Sequence, residues 1–328
     1  MVVIYKGTEY TIELDLQADL NQRAYDVLTS NHVKNVTLDQ ALYQYCEMQL
    51  RLLESKPRKV LVSKELVIPD DARAGYEYFK SVVERGDPLL PFMSRSIVDA
   101  APIDKMFYDW GFFHFHLSPE VSNKDPRFME RSGHLLIAYV DLAHDDTMYF
   151  LQIRPHITSV WTEQELVRIL VDNWPDTMEN RRINGIVSLT ENVTDEDYKK
   201  LRKANVNTMV DLHDGRVYMG ANLGLNAAGT SVRAMLLYNR YCNHVRAFQE
   251  AMGGIVDAIG ATINKKLYEP EKYFKLKMVA PGERDYLFKV ENHGFYLRVI
   301  AKDDYIQTVV GDTAEQIEEV VRSAQGSI

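Results

Sequence analysis

Apolar and polar positions along the chain follow two different periods. Residues 2–6 and 8–15 alternate one by one around Gly7, which predicts a small hairpin. A helix is expected over 19–30. Over 38–54 the apolar residues Leu42, Tyr45, Cys46, Leu50 and Leu53 recur at helical spacing, and Thr37 with Gln40 fits a capping box at its start. KVLVS (59–63) reads as a short strand. The segment after Pro69-Asp70-Asp71 reads as a helix that stops at Arg85-Gly86, with the glycine as its terminator.

From 110 to 161 the period shortens. FFHFHLS, HLLIAYVD and MYFLQIR are three strand-like runs, the last two joined by the turn-like AHDDT, and together they predict an antiparallel meander. Thr162 to Glu165 fits a second capping box, opening a helix with Leu166, Ile169 and Leu170 on one face and Trp174-Pro175 at its end. GIVSL (185–189), a helix at 195–204, NTMVDL (207–212) and RVYMG (216–220) form a second patch of mixed structure, with His213-Asp214-Gly215 as a hairpin turn. GANLGLNAAGTS (220–231) leads into a long helix, 232–252. The tail from about 265 holds a hairpin, DYLFKV and FYLRVIA around Asn292-His293-Gly294, and an acidic helix, 313–324.

These elements predict an α+β fold. It has a helical N-terminal part (1–100), a central antiparallel sheet with flanking helices (101–180), a smaller α+β unit with the long helix (181–262) and a C-terminal hairpin-helix tail (263–328). With 328 residues, 46% of them apolar, the chain can build real cores. No run of about 18 uncharged apolar residues exists, and MVVIYKGTEYTIELD lacks the basic end and apolar block of a signal peptide, so a cytoplasmic protein without a membrane partner is expected. Cys46 and Cys242 are far apart in helical patterns and read as thiols; no Cys-based zinc site can be assembled and no cofactor is expected. The net charge of −9 argues against a protein that coats nucleic acid, so any such contact has to be local.

Candidate chemistry concentrates in WGFFHFHLSPE (110–120). Strand alternation sends Phe112, His114, His116 and Ser118 to one face and Phe113, Phe115 and Leu117 to the other. If MYFLQIRPH pairs nearby, Gln152, Arg154 and His156 join the same sheet, followed by Thr158 and Ser159. Such a set suits metal-independent cleavage of an RNA phosphodiester. One neutral histidine takes the proton of the 2′-hydroxyl, an imidazolium protonates the leaving 5′-oxygen, and Arg154 stabilises the added charge. His116 and His156 are the expected proton-transfer pair and His114 the phosphate-orienting group, with Ser118, Tyr149 and Thr158 as auxiliaries. Satisfied structural histidines account for any one of these residues equally well. A metal-dependent hydrolase is an alternative, because H-x-H on a strand aims two imidazoles at one ion, with His134, His144, His156, Asp141, Asp145 or Asp146 to complete the set.

The loop before the long helix places Gly224 and Gly229 ahead of Thr230, Ser231 and Arg233, where helix amides could meet a phosphate of RNA. A surface loop with a Thr/Ser cap explains the same residues, and no P-loop or Rossmann spacing is present. Lys199, Lys200, Arg202 and Lys203 lie near it in sequence as a basic patch or a solvated helix face.

The strings DWGFFHFHL, RSGHLLIAYVD, YFLQIRPH and NWP resemble a group of uncharacterised bacterial proteins of mobile or prophage-linked DNA with a W-G-x-x-H-x-H-L core. Their strand-rich core is similar in outline to the barnase- and colicin-type ribonuclease toxins. His116-Leu-Ser118 and His156-Ile-Thr158 also read H-x-S and H-x-T, as in two-histidine phosphoesterases. The resemblance covers about 90–180 and, more loosely, 207–250. It implies a toxin or anti-phage endoribonuclease with His114, His116, Arg154 and His156 as its site, acting on RNA, with an antitoxin or regulatory protein as partner. The alternative from another class is a non-catalytic regulatory subunit that binds a partner through its helices and tail.

Overall fold

The structure is a computed structural model that describes residues 3–100, 104–156, 162–281, 285–301 and 306–317. Its class is α+β. In chain order the described elements are β1 (Val3–Lys6), β2 (Thr11–Leu14), α1 (Leu16–Ser30), α2 (Ala41–Arg51), β3 (Lys59–Val62), α3 (Arg73–Arg85), α4 (Lys105–Trp110), β4 (Phe112–His116), β5 (His134–Tyr139), β6 (Thr147–Pro155), α5 (Glu165–Asn173), α6 (Asp195–Lys203), β7 (Val210–Asp211), β8 (Val217–Tyr218), α7 (Val232–Met252), α8 (Val256–Asn264), β9 (Tyr273–Pro281), β10 (Asp285–Val290), β11 (Tyr296–Ala301) and β12 (Ile306–Gly311). The chain divides into two compact units, one of residues 1–31, 36–42 and 238–328, the other of 32–35 and 43–237.

The first unit is built on a six-stranded sheet of order β1-β2-β9-β10-β11-β12. The expected hairpin at the start is present, with Val3 opposite Leu14 and Lys6 opposite Thr11. It does not stand alone: β2 lies parallel to β9, Thr11 beside Tyr273. Strands β9 and β12 are additions to the expected elements: β9 joins the opening hairpin in parallel across almost the whole chain, a pairing that leaves no local signal, and β12 pairs antiparallel with β11. Of the expected terminal helix, 314–317 is helical and its remainder lies outside the described residues.

The second unit carries a four-stranded sheet, β3-β6-β5-β4. Strands β4, β5 and β6 form the expected antiparallel meander, and β3 adds to β6 in parallel, Lys59 beside Thr147. One sheet face buries Phe115 and Phe150 against Phe79 of α3, with ring centroids 4.6 and 5.8 Å apart. Gly75 brings α3 close: a Cβ there would sit 2.5 Å from the Leu117 carbonyl. Helix α3 ends at Gly86 in the left-handed region, φ 83°. The opposite face buries Phe112, Leu135, Ile137 and Leu151 against Leu166, Ile169 and Leu170 of α5. The two faces therefore divide β4 as the alternation requires.

Several local expectations are corrected. GIVSL (185–189) is turn and coil rather than strand, and the strands expected at 207–212 and 216–220 shrink to the two-residue ladder β7–β8, Val210 opposite Tyr218. Helix α5 starts at Glu165, with Gln164 and not Thr162 at its cap position. The capping box with both bonds in place is Thr194 with Asp197 at the start of α6. Helices α4 and α8 were not anticipated. Cys46 is buried and Cys242 half-buried, both as free thiols. Among the described residues no helix is long and apolar enough to cross a membrane.

Candidate active site

Helix α4 and strand β4 are joined by a single residue. Gly111, at φ 77°, takes the left-handed conformation that lets the chain leave the helix and enter the strand at once. The cap at the other end of α4 is Asp104, whose Oδ1 accepts from the Phe107 amide at 3.0 Å. Its Oδ2 lies 3.4 Å from His114 Nδ1. Asp104 thus fixes the helix and faces the imidazole with the same carboxylate. A carboxylate beside Nδ1 can offset the charge of a protonated imidazole.

His114 lines a cavity of about 600 Å³ together with Arg51, Asp104, Lys105, Thr162, Lys199, Arg202 and Lys203. Five basic side chains meet one carboxylate there, in a chain whose overall charge is −9. The remaining lining is mostly apolar, Met93, Ile97, Met106, Phe107 and Phe113, with Ser94 and Ser96. A lining that combines basic with aromatic and aliphatic side chains can take a ligand that carries both a phosphate and a flat base.

The cations are not equivalent. Arg202 is paired to buried Asp109, whose Oδ2 accepts from Nε at 3.2 Å and Nη2 at 2.9 Å. Its guanidinium also lies over the Trp110 ring, 3.9 Å from the centroid. Burial pushes the Asp109 carboxyl up, against the pull of Arg202. The Lys105 ammonium donates to the Arg202 carbonyl and to Asn205 Oδ1 (3.1 Å), both neutral oxygens. Lys203 is exposed, and Lys199 reaches Glu196 at 3.4 Å on the surface. Among the described residues Lys105, Lys199 and Lys203 thus carry no buried ion pair, while Arg202 is built into the wall by its pairing with Asp109.

The other sequence-derived residues spread out from this point. His116 shares the row His116–Leu135–Arg154 across the sheet, beside the row His114–Ile137–Gln152. Its ring is buried, 4% exposed, and stacks on His156 with centroids 5.6 Å and planes 16° apart. Burial first, then the positive charge of His114, His156, Arg131 and Arg95, pushes His116 down to about 4. It is neutral at neutral pH, which does not suit a proton-donating imidazolium. His156 is exposed, its amide held by the Gly133 carbonyl at 2.9 Å. Neither lines the cavity. Arg154 is held by Glu163, Nε to Oε2 3.0 Å.

Ser118 is committed to a turn, its Oγ accepting from the Glu120 amide at 3.2 Å. Tyr149 lies five residues from Arg154 along β6, packed on Trp174 at 4.9 Å, far from either histidine. Thr158 lies outside the described residues. The loop before α7 closes on itself. The Val232 amide donates to the Gly224 carbonyl (3.1 Å), Ala234 to Ser231 Oγ (3.2 Å) and Ser231 to the Tyr43 hydroxyl (3.1 Å). Gly224 packs against Asn207, and Gly229 takes φ 76° beside Asn205. Thr230 and Arg233 are partly buried with the loop, and Arg233 donates to Asn222 Oδ1 at 2.8 Å. The amides that a phosphate would need already have partners inside the protein.

The ligands considered for a metal have other tasks: His134 faces Asp71 (3.6 Å), His144 faces Asp141 (3.3 Å), and Asp145 binds Lys56 and Arg58. Among the described residues no group of three His, Cys, Asp or Glu stands close enough to hold a metal ion. Arg51, Asp104 and Lys105 were missed from the sequence; the readable signal was Asp104 as a helix cap ahead of KMFYDW. The chain matches no family model, no curated protein and no solved structure.

Proposed function

We propose that the second unit is a metal-independent phosphodiesterase acting on RNA, of the toxin or anti-phage endoribonuclease kind, with the His114 cavity as its active site. The observation that carries this reading is the pairing of His114 with Asp104 on the wall of a cavity lined by Lys105, Lys199 and Lys203. His114 accepts the proton of an attacking 2′-hydroxyl, and Asp104, 3.4 Å from its Nδ1, offsets the imidazolium that forms. The lysine ammoniums stabilise the charge added to the phosphorus oxygens, and one of them protonates the leaving 5′-oxygen. The nucleobase rests on the apolar wall of Ile97, Phe107 and Phe113. Local basic charge removes the objection raised by the acidic net charge. The resemblance to ribonuclease-toxin cores agrees with this chemistry and adds an antitoxin or regulatory protein as the expected partner.

The deciding experiment incubates the full chain and His114→Ala with single-stranded RNA in EDTA and follows both binding and cleavage. The reading expects cleavage by the parent and binding without cleavage by the variant, with unchanged circular dichroism. Equal cleavage by both, or no binding by the parent, overturns it. RNA bound but never cleaved by either protein supports the regulatory alternative.

A further inference from the structure

Beside the cavity, around His116 on the same sheet face as His114, the protein gathers a second group of basic side chains, with buried polar atoms that have no mate among the described residues. His114 and His116 are two positions apart on one strand, so their side chains emerge about 7 Å apart on one face. His116 is 96% buried by the complement of its 4% exposure, and its Nδ1 has no hydrogen-bond partner among the described residues. The Nε of half-buried Arg95 is in the same position, while its Nη2 donates to Ser122 Oγ at 2.6 Å. Buried polar atoms without a hydrogen-bond partner are uncommon in folded proteins and cost stability unless something else satisfies them. Exposed His156 stacks on His116 from the solvent side, and exposed Arg131 stands within electrostatic reach.

The neighbouring charges are mostly of one sign. His114, His156, Arg131 and Arg95 all disfavour a proton on His116. The carboxylate on that side is Glu130, which is bound to Ser122 and the Arg131 amide and feels Arg95 and Lys124. Arg154, in the same row as His116, is already matched by Glu163 at 3.0 Å.

We propose that His116, His156, Arg95 and Arg131 form a second anion subsite that receives the phosphate next to the one at His114, so that the ligand is a polynucleotide and not a mononucleotide. This rests on the reading of the cavity given above and deepens it. A tetrahedral oxyanion supplies the partners that His116 Nδ1 and Arg95 Nε lack, and it places negative charge beside the Arg95 and Arg131 guanidiniums. The spacing of His114 and His116 along β4 sets two phosphate contacts side by side, as successive linkages of one strand require.

The test uses the full chain and 2′-deoxy dinucleotides, which lack the nucleophile and cannot be cleaved, with and without an added 3′-phosphate. The added phosphate is expected to tighten binding about tenfold in the parent. His156→Ala and Arg131→Ala, both at exposed positions, are expected to lose that gain and to bind the shorter ligand unchanged. In parallel, inorganic phosphate is titrated while the His116 imidazole is followed by NMR; its pKa is expected to rise in the parent. A gain that persists in both variants, or no gain in a parent that binds the shorter ligand, overturns the subsite. If neither dinucleotide binds, the cavity reading fails, and the phosphate titration alone decides: a rise at His116 supports the subsite, and a flat response overturns it.

Discussion

Asp104 divides its carboxylate between two tasks, giving Oδ1 to the Phe107 amide at 3.0 Å and turning Oδ2 towards His114 Nδ1 at 3.4 Å. Two substitutions separate these roles. Asp104→Asn keeps an oxygen to cap α4 and should melt close to the parent, yet RNA cleavage is expected to fall about 10²-fold because the amide no longer balances an imidazolium. Asp104→Ala is expected to lose the cap as well, with stability lower by about 1 kcal/mol. Single-turnover cleavage and thermal melts measure the two effects; full activity in Asp104→Asn would remove Asp104 from the mechanism.

Lys199 and Lys203 are surface residues at the cavity edge. Replacing either by Ala should leave the melting curve unchanged and weaken RNA binding alike for all sequences. The slope of log affinity against log salt is expected to drop by about one for each lysine lost. Binding isotherms at four salt concentrations check this, and an unaltered slope would mean that neither lysine meets a phosphate.

Arg202 and Asp109 are each 8% exposed and joined by two hydrogen bonds under Trp110. Removing one partner strands the other as a buried charge. Arg202→Met and Asp109→Asn are therefore each expected to destabilise the protein by about 3–5 kcal/mol, and the double variant by less than the sum. Urea midpoints provide the comparison.

The depressed His116 makes stability depend on pH in a defined direction. Its folded value of about 4 lies below the ordinary 6.5, so between these values the unfolded chain binds more protons. The contribution is fully present above pH 6.5 and is lost as pH falls towards 4, by about 3 kcal/mol at most. His116→Gln carries no such proton. Plotted against pH, the stability difference between parent and variant should slope in that window alone, and a flat difference from pH 7 to 4 would contradict the buried neutral imidazole.

Much of the second unit was legible because its signals are local. The alternation through Phe112–His116 gave the right division of faces, and Gly86 ended its helix as expected. What alternation cannot give is depth: His114 and His116 share a face, yet one lines a cavity and the other is buried beside it. The cavity itself joins Arg51, Ser94, Asp104, His114 and Lys203, which lie on separate segments and show no common period. GIVSL failed for a related reason, since its apolar residues Ile186 and Val187 are exposed and find no strand to pair with among the described residues. The loop at Gly224 looked open to phosphate because a sequence does not show that Tyr43 and Asn207 fill the gap.

The parallel pairing of Thr11–Glu13 with Tyr273–Lys275 has a consequence for how the molecule is made. During synthesis, the opening hairpin leaves the ribosome and must remain without its sheet neighbour until nearly all of the intervening chain has followed. The unit holding the His114 cavity draws on residues up to Leu237 and can complete itself in that interval. Translation thus delivers the histidine-bearing half first, and the six-stranded sheet closes last.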